Sequence, residues 1–159
     1  MDDETPTSGN ETQKERVDRE LIEFLNEVRV VLPGVQVLFA FLLTLPFSGR
    51  FGDIDGVERF AYNVAFFATA LAAVLMITPS SFHRLRFRKG DKEEILRMSN
   101  GLVLAGIVCL GVAMVAVVWL VAELVFTTGL ANVIGIVSAL IVIALWFALP
   151  LSRRFIEGR

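Results

Sequence analysis

The sequence predicts an all-α fold, an integral membrane four-helix bundle with an N-terminal cytoplasmic amphipathic helix. Three observations predict it. Four apolar stretches, 30–47, 60–79, 101–127 and 131–151, fill more than half of the 159 residues and carry one charged side chain, Glu123. Each has about the 17–25 apolar residues that a helix needs to cross roughly 30 Å of hydrocarbon, and none alternates as a barrel strand does. The composition is 55% hydrophobic, so a water-soluble monomer would expose far more apolar surface than water tolerates. Basic residues, finally, fall on one side. If four spans alternate, the N-terminal segment, the 80–100 loop and the C-terminal tail share a side and hold thirteen of the 15 Lys and Arg, all but Arg50 and Arg59. The positive-inside rule makes that side, with both termini, cytoplasmic.

Residues 1–12 are acidic, contain Pro and Gly and lack apolar periodicity, so they are expected to be disordered. From Gln13, residues Val17, Leu21, Phe24, Val28 and Val31 recur at steps of four and three, which gathers them on one face of a helix over 13–32. Charges between Glu15 and Arg29 fill the other face, as suits a helix in the headgroup plane or on a cytoplasmic partner. Pro33-Gly34 is expected to let the chain turn into the first span. Residues 1–29 lack an apolar signal-peptide core, so that span is expected to act as both signal and anchor.

The first span ends at Pro46, Ser48 and Gly49, which break a helix. Arg50 to Gly56 then forms a compact external turn; Asp53 and Asp55 lie close together there, but the alternating ligands and terminal Glu of a calcium loop are missing. In the second span Ala61, Ala65, Thr69 and Ala73 step by four along one face, where a second backbone can approach closely. Ala105, Cys109 and Ala113 offer a similar seam in the third span, and Gly135 and Ala139 in the fourth. Between the second and third spans His83, Arg84, Arg86, Arg88 and Lys89 form the densest basic segment. Asp91 and Glu94 then resemble a capping box, starting the third helix near Lys92. Thr128-Gly129-Leu130 alone joins the last two spans, so these form an antiparallel hairpin. Residues 152–159 are a basic cytoplasmic tail whose Arg153 and Arg154, with Trp146, mark the membrane interface.

Glu123 is the first candidate for chemistry, because a carboxylate in a membrane helix is costly and by default suggests an ion or proton site. It lies roughly 13 Å from the span's centre at ~1.5 Å per residue, where it could instead reach the headgroups or pair with Arg59 or Arg50. Asn63 and Asn132 fall toward the same side and could converge with Glu123 on one small polar site. Gln36, Thr44, Thr69 and Ser138 are the other polar residues at depth; interhelical hydrogen bonds of ~0.6–2 kcal/mol are their structural reading. His83, Arg84, Arg86, Arg88 and Lys89 suit anionic headgroups, where each cation contributes about 1 kcal/mol. With one histidine and one cysteine, Cys109, the chain alone can form neither a bis-histidine haem site, an intrachain disulfide nor a thiolate zinc site. No cofactor or metal is expected. A net charge of −2 argues against nucleic acid as a partner. No nucleophile elbow, phosphate loop, dinucleotide fingerprint or paired-carboxylate motif is present, so no enzymatic activity is expected.

The run from Gly34 to Phe47, the following Arg50-Phe51, and Tyr62, Pro79, His83-Arg84 and Phe87-Arg88 resemble a family of small bacterial four-span membrane proteins classed as a domain of unknown function. The likeness covers roughly residues 20–127. It implies a bacterial cytoplasmic membrane, and some members carry an automatic label of sodium:proton antiporter. Familiar antiporters use inverted repeats and midplane ionisable groups; a small oligomeric transporter would instead have Gln36, Thr44 and Glu123 line a shared path. The leading expectation is a non-enzymatic scaffold or accessory protein that contacts lipid or a partner, as a homo-oligomer or within a membrane complex. The alternative is a cation:proton antiporter or ion transporter using Glu123.

Overall fold

The computed structural model of the chain describes residues 13–49, 51–85 and 92–148. The chain is all-α there, with four main helices: α1 (Gln13–Thr44), α2 (Gly56–Leu85), α3 (Lys92–Val125) and α4 (Thr128–Ile143). Within them Arg29–Phe47, Gly56–Pro79, Met98–Val125 and Thr128–Ala148 are long and apolar enough to cross a membrane. The α1–α2 and α3–α4 connections lie at one end of the bundle, here the turn end.

α1 stays helical through Pro33 and Gly34, where the sequence suggests a turn. Proline deprives the Arg29 carbonyl of its donor, a defect that a helix absorbs by bending rather than ending. At the other end Pro46 does stop it. A 3₁₀ turn, Leu45–Phe47, follows, and both the Ser48 N–H (3.0 Å) and its hydroxyl (2.8 Å) donate to the Leu45 carbonyl. α2 then starts on a capping box: Asp55 Oδ1 accepts from the Val57 and Glu58 N–H groups, both at 2.8 Å, and Glu58 Oε2 accepts from the Asp55 N–H at 2.9 Å. α4 opens at Thr128, so Thr128-Gly129-Leu130 form its first turn and only Phe126 and Thr127 connect it to α3. Thr127 takes the extended backbone of an N-cap residue, which lets the helix begin sooner than the glycine suggested. α4 continues into a π-helical turn, Ala144–Ala148.

The core lies between α2 and α3. α2 buries Tyr62, Ala65, Thr69, Ala72 and Met76; α3 buries Ser99, Val103, Gly106, Leu110, Ala113 and Leu120. These positions alternate steps of three and four, with half-buried Val117 filling the gap before Leu120, as in antiparallel helices packed at a shallow angle. A Cβ on Gly106 would lie 3.0 Å from Met76 Cγ and 3.4 Å from the Ala72 carbonyl oxygen, so the two backbones approach closely there. α1 lies against α2 and the edge of α3 through Val35 and Leu42, whereas α4 packs on α3 and touches neither α1 nor α2.

The small-residue ladders therefore wind off the seam. Steps of four advance about 40° further than whole turns. Ala65 and Thr69 are fully buried while Ala61 and Ala73 are half-buried; Ala113 is buried, Cys109 half-buried and Ala105 exposed. On α4, Gly135 is buried and Ala139 half-buried.

Candidate functional site

The polar side chains that meet across helices gather at the turn end. Pro46 has no N–H to give to the carbonyl of Leu42, four residues earlier, which would leave a buried acceptor unfilled. The Tyr62 hydroxyl fills it, donating to that carbonyl at 3.0 Å. Phe51 packs edge-on to Tyr62 at 4.9 Å between ring centroids, and Phe39 stacks on Phe66 at 5.3 Å, so aromatic rings enclose the bond. One proline just after α1 thus leaves an acceptor that a hydroxyl in α2 fills.

Across the bundle, α3 and α4 meet through two polar pairs one helical turn apart. Trp119 Nε1–H donates to Asn132 Oδ1 at 2.9 Å, and the Thr128 hydroxyl donates to Glu123 Oε1 at 2.6 Å. Trp119 and Glu123 are four residues apart on α3, as are Thr128 and Asn132 on α4, so each pair shares a face. Glu123 sits in the last turn of α3, where the helix dipole disfavours an anion, but beside the first residue of α4, where the dipole favours one. Its second oxygen, Oε2, is buried and lacks a hydrogen-bond partner among the described residues.

Below these pairs runs a groove of about 780 Å³. Gly111, Val115 and Trp119 form part of its α3 wall, and Asn132, Gly135 and Ala139 part of its α4 wall. Two glycines set its shape. A Cβ on Gly135 would lie 2.7 Å from Trp119 Cδ1, and one on Gly111 would lie 3.1 Å from Val142 Cγ1. The helices thus touch where glycine permits and gape between.

The chain matches the family described as Family of unknown function (DUF6328) over residues 10–150. It belongs to that family. No curated protein and no solved structure matches it. The resemblance carried by the Gly34–Phe47 run is thus to a family in which the chain is a member, and DUF6328 brings no assigned chemistry with it.

In this DUF6328 chain the predicted polar residues separate into distinct places. Glu123 and Asn132 come together as neighbouring rungs of the α3–α4 contact, but Asn63 is exposed on α2, which α4 does not touch. The three-residue polar site does not form. Glu123 bonds to Thr128, not to Arg59, which stands exposed in the first turn of α2. Gln36 is exposed on α1, and the Thr44 hydroxyl donates to its own helix at the Phe41 carbonyl, 2.8 Å. Thr69 and Ser138 likewise bond to carbonyls of their own helices. Asp55 is engaged in its capping box. The basic calls fall outside what can be placed: Arg86, Arg88, Lys89, Arg153 and Arg154 lie beyond the described residues, and His83 and Arg84 are placed only as backbone in the last turn of α2.

Trp119, Thr128 and Tyr62 make bonds between helices that the sequence left unassigned. Counting would have found Tyr62's task, since Pro46 four residues after Leu42 announces a carbonyl short of a donor. Trp119 and Thr128 acquire roles only through the two-residue turn, which sets α3 against α4.

Proposed function

We propose that this chain is a four-span protein of the bacterial cytoplasmic membrane, with both termini and the 80–100 segment between the second and third spans cytoplasmic, and that its role is non-enzymatic. It acts as a scaffold or accessory protein, contacting anionic headgroups and a membrane partner. The supporting observation is how polar side chains at span depth are used. Tyr62, Thr69, Thr78, Trp119 with Asn132, and Thr128 with Glu123 are committed to bonds that hold helices in shape or together. Such bonds build a framework rather than a reaction centre. The basic loop, with Arg84, Arg86, Arg88 and Lys89, supplies the headgroup contact. The test is thermal unfolding in nanodiscs of phosphatidylglycerol against phosphatidylcholine. Wild type is expected to be more stable in the anionic lipid, and a variant with those four residues replaced by Gln is expected to lose the difference. Equal melting of wild type in both lipids would sink the headgroup role.

One observation favours a second reading, a small cation:proton antiporter: Glu123 Oε2 is buried without a partner among the described residues. Proteoliposomes with an internal pH dye and an imposed sodium or potassium gradient test it. Gradient-driven proton flux that Glu123→Gln abolishes would establish transport, and no flux from correctly inserted protein would remove it.

A further inference from the structure

We infer that the outer surface of the α1–α2 pair, marked by the exposed amides of Gln36 and Asn63, is where two copies of this chain associate in the membrane. The inference rests on the four-span reading and deepens it by naming the partner as a second copy.

The first argument is solvation. Gln36 lies two residues from the middle of the Arg29–Phe47 span, and Asn63 four to five residues from the middle of Gly56–Pro79. At ~1.5 Å per residue both stand roughly 3–7 Å from the bilayer midplane. Both are exposed on the bundle, and neither makes a hydrogen bond among the described residues. Hydrocarbon offers an amide nothing to bond, which makes such a position costly until a partner arrives. Other polar side chains within the spans are served: Thr44, Thr69, Thr78 and Ser138 by their own helices, and Asn132 by Trp119. Asn100 stands two residues inside the start of its span, at the level of the headgroups.

The second argument is placement. Phe39 stacks on Phe66 at 5.3 Å where α1 meets α2. Gln36 precedes Phe39 by one turn and Asn63 precedes Phe66 by one turn. In this antiparallel pair the amides therefore flank the stack, one on each helix and about 9 Å apart in depth. Val35 and Tyr62 point into the clusters shared with α3, and each amide stands about 100° further round its helix. The two unserved amides thus fall on one surface, away from the core.

The third argument is complementarity. A primary amide carries two donors and two acceptor lone pairs, so it is the complement of another amide. Copies inserted with the same topology pair about a two-fold axis along the membrane normal, which sets every residue level with its own counterpart. Gln36 then finds an amide at its own depth, and so does Asn63. Lipid headgroups cannot serve them, because they lie roughly 15 Å from the midplane.

The test is Förster transfer in liposomes between full-length chains carrying a donor or an acceptor dye at the N-terminus. Dilution with lipid reads the dissociation constant, after alkaline carbonate shows that the protein is integral to the membrane. Wild type is expected to dimerise, and Gln36→Leu combined with Asn63→Leu to raise the constant roughly tenfold or more. Both substitutions are on exposed positions, so the variant is expected to melt like wild type. Asn132→Leu, whose amide is already bonded within the chain, is expected to leave association unchanged. Undiminished dimerisation in the double variant, or an equal loss in Asn132→Leu, would put the contact elsewhere and overturn the surface. Carbonate-resistant wild type that stays monomeric overturns it too, whatever other protein it binds, and leaves the four-span reading standing. Extraction by carbonate would sink both.

Discussion

The two faces of α3 are built on different principles. Toward α2 it presents Val103, Leu110, Ala113 and Leu120, with Gly106 letting the backbones close, against Ala65, Thr69, Ala72 and Met76. Toward α4 it presents Gly111, Val115, Trp119 and Glu123, which make two polar bonds and leave a groove of about 780 Å³. The first contact is close because alternating steps of three and four keep one stripe on the partner. The second is tight only where Gly135 receives Trp119 and Gly111 receives Val142. Within lipid, helices gain little from hydrophobic transfer, so packing decides stability. The α2 face is therefore the framework, and the α4 face is the looser contact.

The sharpest test of that contrast is the same substitution on each face. Ala72→Leu, at a fully buried position, is expected to destabilise by about 3 kcal/mol through overpacking, measured by reversible unfolding in mixed micelles. Ala139→Leu, on the groove wall, is expected to change stability by less than about 0.5 kcal/mol. Equal costs would erase the distinction. Next in size is Leu120→Ala, which removes a fully buried side chain from the framework face and is expected to cost about 2 kcal/mol, chiefly through lost packing contacts.

Polar bonds sharpen the comparison at a smaller scale. Tyr62→Phe leaves the Leu42 carbonyl with neither Pro46 nor a hydroxyl to serve it, and is expected to cost about 1–2 kcal/mol in the same unfolding assay. Restoring an N–H by adding Pro46→Ala is expected to recover part of that loss, a coupling that a double-mutant cycle reads directly. Asn132→Leu removes the exposed bond to Trp119 and is expected to cost only about 0.6 kcal/mol. A larger loss there would show that the α3–α4 contact depends on its polar rungs more than its geometry implies.

Much of this was legible in the residues. Four charge-poor apolar runs leave the backbone no choice in lipid, since each N–H and C=O must be satisfied within its own segment. The spans, their number and the stop at Pro46 follow from that requirement and from proline's missing donor. Asp55 and Glu58, three apart at the start of α2, were equally readable as a capping box, although the neighbouring glycines suggested only a turn.

Which face meets which neighbour was not legible, because nearly every face of these helices is apolar and small residues occur on several. Ala65 and Ala61 are alike in sequence, yet one is fully buried and the other half-buried. The choice belongs to the register between α2 and α3, a property of two helices at once. The same holds at the candidate site. The sequence by itself determined that a carboxylate would sit near one end of the third span; only the tertiary structure set it beside Thr128, separated it from Asn63 and opened a groove beyond the Trp119–Asn132 bond. Hydrocarbon solvation dictates where a helix begins and ends, but complementary shape between neighbours decides what its side chains touch.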